Sequence, residues 1–264
     1  MAKIKVHIPN LVRESGQTNS SRITCATEDS DYPLTRIYDG HLKRLFKTTA
    51  DTSHIIYINN SYTAAGGASY YGNITDLIIP EGHSLGDGDG LIWSSAEIAT
   101  ASSKLGSYTA AYSWNPDATT TTIHKTFTSA GNNWIRVTFT RGSSGTLSLP
   151  ELILTTPIEI GRDPDQFDRG VYPVFNVERL MDSSGTPRFI EFGDSKRYRE
   201  YVFTLLYGSD RTNVESLNTY WAGKNPFYIE DTDGELIYGE LVDPIQFQRS
   251  GDHTTFNFNF LEII

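Results

Sequence analysis

Residues 31–46 read DYPLTRIYDGHLKRLF, which is neither a good helix nor a clean strand. Tyr32, Pro33, Leu34, Ile37 and Tyr38 crowd against an Asp39-Gly40 turn, and a basic-apolar segment follows as far as Phe46. An aromatic-proline knot and a tight turn need a fold around them that can use both.

The flanking sequence supplies a β fold. Across residues 1–158, KIKVHI alternates strictly, and HIIYINN, NITDLIIP, GLIWSSAEI and WIRVTFT are β-rich runs separated by Gly, Asn, Asp and Ser clusters. GDGDG at 86–90 and RGSSGT at 141–146 are turn chemistry. No helical periodicity is sustained in these residues, so an antiparallel β-sandwich is the economical reading. Composition agrees, because 15 Tyr and 13 Phe beside abundant Thr, Ser and Gly suit a pleated, half-buried surface.

TTPIEIGRDPDQFDRGVYP, with three prolines and a change in charge density, places a domain boundary near Pro157, giving units of 1–157 and 158–264. Residues 1–158 hold 13 acidic and 12 basic residues, whereas 159–264 hold 19 and 10. The second unit reads as small and mainly β, with one convincing helix near 212–222. Thr212 or Asn213 can cap that helix, Val214, Leu217, Tyr220 and Trp221 form its apolar stripe, and Gly223 ends it. A hairpin turning on Asp233-Gly234 follows, then HTTFNFNFLEII, with Phe256, Phe258 and Phe260 on one face.

Chemistry is sparse. A net charge of −10 without clustered Lys and Arg argues against nucleic acid as a partner. Cys25 is the only cysteine, which precludes an intrachain disulfide and cysteine zinc sites and fits a reducing cytoplasm. No apolar leader is visible at the start, and no run approaches the length of a membrane helix, so no membrane insertion is expected. His7, His41, His54, His83, His124 and His253 show no metal-ligand spacing and are expected in loops or on solvated strand faces. Asp87 and Asp89 lack the further acids of a calcium loop. No nucleophile elbow, phosphate-cradling loop or dinucleotide fingerprint occurs, and the chain is expected not to be an enzyme. Tyr70, Tyr71, Tyr108, Tyr112 and Trp114 lie in Gly/Ala/Ser-rich stretches. They are candidates for stacking on glycan or anchoring a protein partner, against the alternative that they fill the sandwich core.

The opening knot now has a context. SSRITCATEDSDYPLTRIYDGHLKRLFKTT resembles the entry of discoidin-like, galactose-binding-like jelly rolls, with Phe46 where a Trp is usual. NWIRVTFTRGSSGTLSLPELIL is similar to the closing strands of that family, with Glu151 in the acidic position. The resemblance spans roughly residues 20–155. It implies a jelly roll over 1–157 and a structural calcium near Asp39 and Glu151, with no other cofactor. His41 stands where a second acidic residue commonly follows the Asp-Gly pair. As a fold device, Asp39-Gly40 makes the turn while Tyr32, Leu34 and Tyr38 plug one end of the sandwich.

Residues 160–264 resemble small β-plus-one-helix domains of the tail-tube and distal-tail class of phage tail proteins. The strand RFIEFG, the basic patch in KRYREYVFTL, a helix closing on YWAGKNPFYI, the hairpin ELIYGELV and a terminal TFNFNFLEI carry that likeness. It implies a structural component of a phage tail tip or baseplate, made in the host cytoplasm and located in the virion. Its partners would be other copies of itself in a ring or hub, neighbouring tail proteins, and a host surface glycan for the jelly roll. The terminal strand is expected to suit an edge protected by a neighbouring copy, against the alternative of a well-packed terminal strand inside a monomer. A non-catalytic carbohydrate-binding protein is the alternative.

Overall fold

Strand signals dominate the chain, and the computed structural model is accordingly mainly β, with antiparallel pairing throughout the described residues. It describes residues 3–263 apart from 65–66, 71, 87–92, 117–120, 161–165, 175–176, 182–186, 192–195, 204–210, 215–216, 218–225, 243–244 and 251–252. The chain falls into two compact units, Pro9–Pro157, and Met1–Ile8 together with Ile158–Ile264.

The first unit is a β-sandwich. Its five-stranded sheet runs in the order Ile23–Cys25, Asp51–Asn59, Trp134–Gly145, Trp93–Ala101, Thr109–Trp114, and its three-stranded sheet Ile123–Ala130, Ile74–Ile79, Ile153–Thr155. Alternation decides what each strand buries. Ile56, Ile58, Ile98, Ile135, Val137 and Phe139 point inward from the larger sheet and share one buried cluster with Leu77, Ile79, Ile123, Phe127 and Leu154 of the smaller. Each such side chain contributes roughly 1.5–3 kcal/mol by leaving water.

The knot at 31–46 is a 3-10 helix, Leu34–Tyr38, with Leu34, Ile37 and Tyr38 buried. Gly40 takes φ 80°, the left-handed conformation an Asp-Gly turn requires. Tyr32 stays half-buried, with the Lys47 ammonium 4.1 Å and the Arg36 guanidinium 5.2 Å from its ring centroid. Tyr38 lies against Gly16, where a Cβ would come within 2.6 Å of its ring.

Gly16 belongs to a helix, Leu11–Thr18, that the sequence does not announce. Only Leu11 and Val12 are apolar, so periodicity has nothing to register, and eight residues are too few to be helical alone. A side-chain cap and a tertiary bond hold it instead. The Asn10 side chain accepts from the Val12 N–H at 3.0 Å, and Ser15 Oγ donates to the Asn59 carbonyl at 2.7 Å.

In the second unit, one sheet runs Ile158–Glu159, Lys5–His7, Phe227–Glu230, Leu236–Leu241, His253–Glu262, Lys196–Phe203, Gln166–Val174, with Gln246–Ser250 also paired to His253–Glu262. Lys5–His7, grouped by the sequence reading with the first unit, therefore pair in the sheet of the second, Val6 opposite both Ile229 and Ile158. The hairpin turns at Gly234, φ 79°, whose N–H donates to the Asp231 carbonyl at 2.8 Å. The terminal strand is not an edge, which corrects the expectation. It lies between two neighbours because Phe256 and Phe260 are core residues, 1% and 0% exposed, and Phe256 stacks on Phe203 at 4.7 Å. Of the helix expected near 212–222, residues 211–214 and 217 are helical and the rest lie outside the described residues. No described helix is long and apolar enough to cross a membrane.

Candidate functional site

The period-2 rule that buries Ile56 and Ile58 turns Tyr57 to the other face, and the same rule turns Trp134 and Arg136 outward as it buries Ile135 and Val137. Register then brings them together. Arg136 stands opposite Tyr57 on one side and Ala99 on the other, and Trp134 stands opposite Asn59 and Ala101. Small residues at 99 and 101 leave room above the sheet. Residues 102–108 fold over that space as a strap, anchored where Asn133 Nδ2 donates to the Ser102 carbonyl at 3.0 Å and turned at Gly106, whose N–H donates to the Ser103 carbonyl at 3.1 Å.

The strap adds two side chains. Lys104 Nζ lies 5.7 Å from the Tyr57 centroid and 5.8 Å from that of Trp134, both within cation–π range. Tyr108, its hydroxyl donating to the Lys104 carbonyl at 3.1 Å, sits 5.9 Å from Tyr57 and 4.5 Å below the Arg136 guanidinium. Burial holds the Tyr108 hydroxyl above the ordinary phenol range, and the negative partner Tyr57 would become adds to this, against Arg136. Arg136 Nη2 donates to Glu97 Oε1 at 2.8 Å. Leu105, at the tip of the strap, is 95% exposed. The result is a shelf of three half-buried aromatic rings, two cations and one carboxylate on the solvent face of the five-stranded sheet.

Of the residues singled out in the sequence, Tyr108 belongs to this shelf. Tyr112 and Trp114 do not. Trp114 is buried, and Tyr112 stacks on it at 5.8 Å and on Phe127 at 5.6 Å, so both fill the core side. Tyr70 ends the strand Gly67–Tyr70, its side chain not among those described, and Tyr71 lies outside the described residues, as do Asp87 and Asp89. Tyr57, Trp134, Arg136, Lys104 and Glu97 escaped the sequence reading. The signal for the first three was present in HIIYINN and NNWIRVTFT, where an aromatic or cationic residue occupies the phase opposite to Ile56, Ile58 and Ile135.

Glu151 and Asp39, the calcium candidates, are placed differently from what the resemblance implies. Glu151 is fully buried and accepts from Arg13 Nη2 at 2.6 Å and from Asn10 Nδ2 at 3.3 Å. Asp39 Oδ1 accepts from the His41 N–H at 2.8 Å, and its other oxygen faces Arg44 Nη1 at 4.0 Å. Among the described residues neither joins a group of three convergent ligating side chains. Among the described residues these two do not fit a calcium ion: neither converges with further ligating side chains, and a guanidinium already neutralises Glu151.

Three of the histidines expected on solvated positions are buried, namely His7, His54 and His83. His54 is held as a neutral ring, Nε2 donating to the Gly145 carbonyl at 2.9 Å while Nδ1 accepts from Thr27 Oγ1 at 3.2 Å. His83 is held likewise, between the Thr121 carbonyl and the Leu85 N–H. Neutral imidazole has one donor and one acceptor, and a buried ring is stable when both are met. Cys25 packs half-buried against the core, and burial pushes its thiol up, the opposite of what activates a nucleophile.

No protein-family model matches the chain, and no curated protein matches it. Among solved structures, it is similar to chitosan-binding module 1 derived from a chitosanase/glucanase of Paenibacillus sp. IK-5, at 17% identity over 56% of this chain and 100% of that one, with a TM-score of 0.41. It is similar to CpGH89CBM32-5 of Clostridium perfringens, in complex with GalNAc-β-1,3-galactose, at 15% identity over 51% and 94%, TM-score 0.40. A family 32 carbohydrate-binding module from C. perfringens NanJ, in complex with galactose, matches at 16% identity over 58% and 99%, TM-score 0.39.

Proposed function

We propose that the chain is a non-catalytic carbohydrate-binding protein whose platform is the shelf on the five-stranded sheet. The observation that carries this reading is the gathering of Tyr57, Tyr108 and Trp134 on a solvent face that nothing in strand pairing requires to be aromatic. Rigid rings bring contact area at small conformational cost, and their faces suit the apolar face of a sugar. A glycan array, followed by titration of whichever member binds, tests it. Trp134→Ala and Tyr57→Ala are expected to abolish binding with the circular dichroism spectrum unchanged. Binding at full strength in both variants would overturn the reading.

A second reading, a structural part of a phage tail, is favoured by one feature of the other unit. The strand Gln166–Val174 is nine residues long and has one partner, Lys196–Phe203, among the described residues, and an edge open among those residues can take a strand of another copy. Pro173 and the bulge between Asp168 and Tyr172 blunt that edge, which is why the glycan reading comes first. Light scattering with negative-stain imaging separates the two. Rings or a defined oligomer support assembly, and a monomer at high concentration counts against it.

A further inference from the structure

The shelf carries more charge than a platform for neutral sugars needs. Two cations, Lys104 and Arg136, stand over its rings with a single carboxylate, Glu97. Arg136 gives Glu97 one hydrogen bond, through Nη2, and its Nε donor has no acceptor among the described residues. Lys104 has no carboxylate partner among the described residues, and its ammonium is parked between two rings rather than extended into water. The surplus is local. Residues 1–158 are almost balanced in charge and the whole chain is at −10, so a cationic shelf does not follow from composition.

From this we infer that the ligand of the shelf is an anionic glycan, one bearing a carboxylate or sulfate beside an exposed pyranose face. The inference rests on the glycan reading above and adds the charge of the ligand to it. The pyranose face lies on Trp134 and Tyr57. Its acidic group takes the Lys104 ammonium, already held near its working position by the two rings, so little rotamer freedom remains to be lost on binding. Arg136, its guanidinium over Tyr108, contributes its remaining donors, and Glu97 keeps that guanidinium oriented. A neutral sugar would gain the stacking but would leave Lys104 without a counter-charge.

The experiment is a glycan array containing matched pairs that differ in charge alone: sialylated and desialylated, sulfated and unsulfated, oligogalacturonate and its methyl ester. Wild type, Lys104→Gln, Arg136→Gln and Trp134→Ala are compared, each shown folded by circular dichroism. The expected result is binding to acidic members, weakened about tenfold or more by Lys104→Gln, weakened again as sodium chloride rises from about 50 mM to about 500 mM, and abolished by Trp134→Ala. Equal affinity for both members of each pair, or acidic binding untouched by Lys104→Gln, overturns the inference. Binding to neutral members alone, lost in Trp134→Ala, overturns the inference while leaving the glycan reading standing. Binding to no member in wild type overturns both.

Discussion

Arg13 meets Glu151 at 2.6 Å with the side chains 6% and 0% exposed, whereas Arg136 meets Glu97 at 2.8 Å with 27% and 33% exposed. The chemistry is the same and the lengths nearly so. What differs is the alternative open to each group when its partner leaves. Water can take over at Glu97 but cannot reach Glu151, so the first pair is exchangeable and the second is fixed. A ligand can compete for a cation only where exchange is cheap, and this separates a piece of fold from a piece of site more sharply than residue type does.

The largest effects are expected at the fixed pair. Arg13→Ala leaves a buried, uncompensated carboxylate and should lower stability to urea by about 3–5 kcal/mol. Replacing both partners by apolar residues, Arg13→Met with Glu151→Leu, should recover most of that loss. Wild-type melting should be indifferent to EDTA and to added calcium, because the Arg13 guanidinium already neutralises Glu151. A loss in Arg13→Ala below about 1 kcal/mol, typical of exposed pairs, would erase the distinction between the two sites.

The faces of the sheet allow the same contrast among aromatic residues. Phe139, fully buried, should cost about 3–5 kcal/mol as Phe139→Ala. Trp134→Ala, five residues earlier on the outward phase, should cost about 1 kcal/mol or less and act on binding instead. Urea unfolding of both variants checks this, and equal losses would mean that the outer face is packed as core.

How far these placements were legible follows from the kind of signal each leaves. Alternation in HIIYINN and WIRVTFT is local, so the strands and their inner faces could be read directly, as could the Asp39-Gly40 and Asp233-Gly234 turns. The helix Leu11–Thr18 could not, because its support comes from Asn59, Glu151 and Tyr38, remote in sequence. Glu151 was visible as a special acid but its partner was not. A calcium site and a buried arginine leave the same mark at position 151, and the choice between them depends on a helix with no periodicity. The shelf was half legible: outward Tyr57 and Trp134 follow from phase, but their meeting depends on strand register and on where residues 102–108 fold.

Between the fixed and the exchangeable pair stands a buried group with no opposite charge bonded to it. His54 is held neutral, and burial above all pushes its pKa below the ordinary range, with Arg141 adding to the shift. The unfolded chain then takes up a proton first, near pH 6.5. The contribution of His54 is therefore fully present above that value and is lost as pH falls below it toward the folded value. The urea midpoint should drop between about pH 7.5 and about pH 5.5, and drop less in His54→Gln. An unchanged pH dependence in that variant would assign the effect to another group.

The smallest stability effect, and the most informative, belongs to Arg136. As a partly exposed pair with Glu97 it should contribute about 0.2–1 kcal/mol, so Arg136→Ala and Glu97→Ala should each unfold within that margin of wild type. Their effects on an acidic ligand should nonetheless oppose each other. Arg136→Ala removes donors and a cation from above Tyr108, and binding weakens. Glu97→Ala releases the guanidinium from its only carboxylate among the described residues and leaves the shelf with two unopposed cations, and binding strengthens, most clearly at low salt. A purely structural pair would move both variants in the same direction, since each loses the same contact. Titrating one acidic oligosaccharide into the two variants therefore reads the sign, which neither folding measurements nor the single arginine variant can supply.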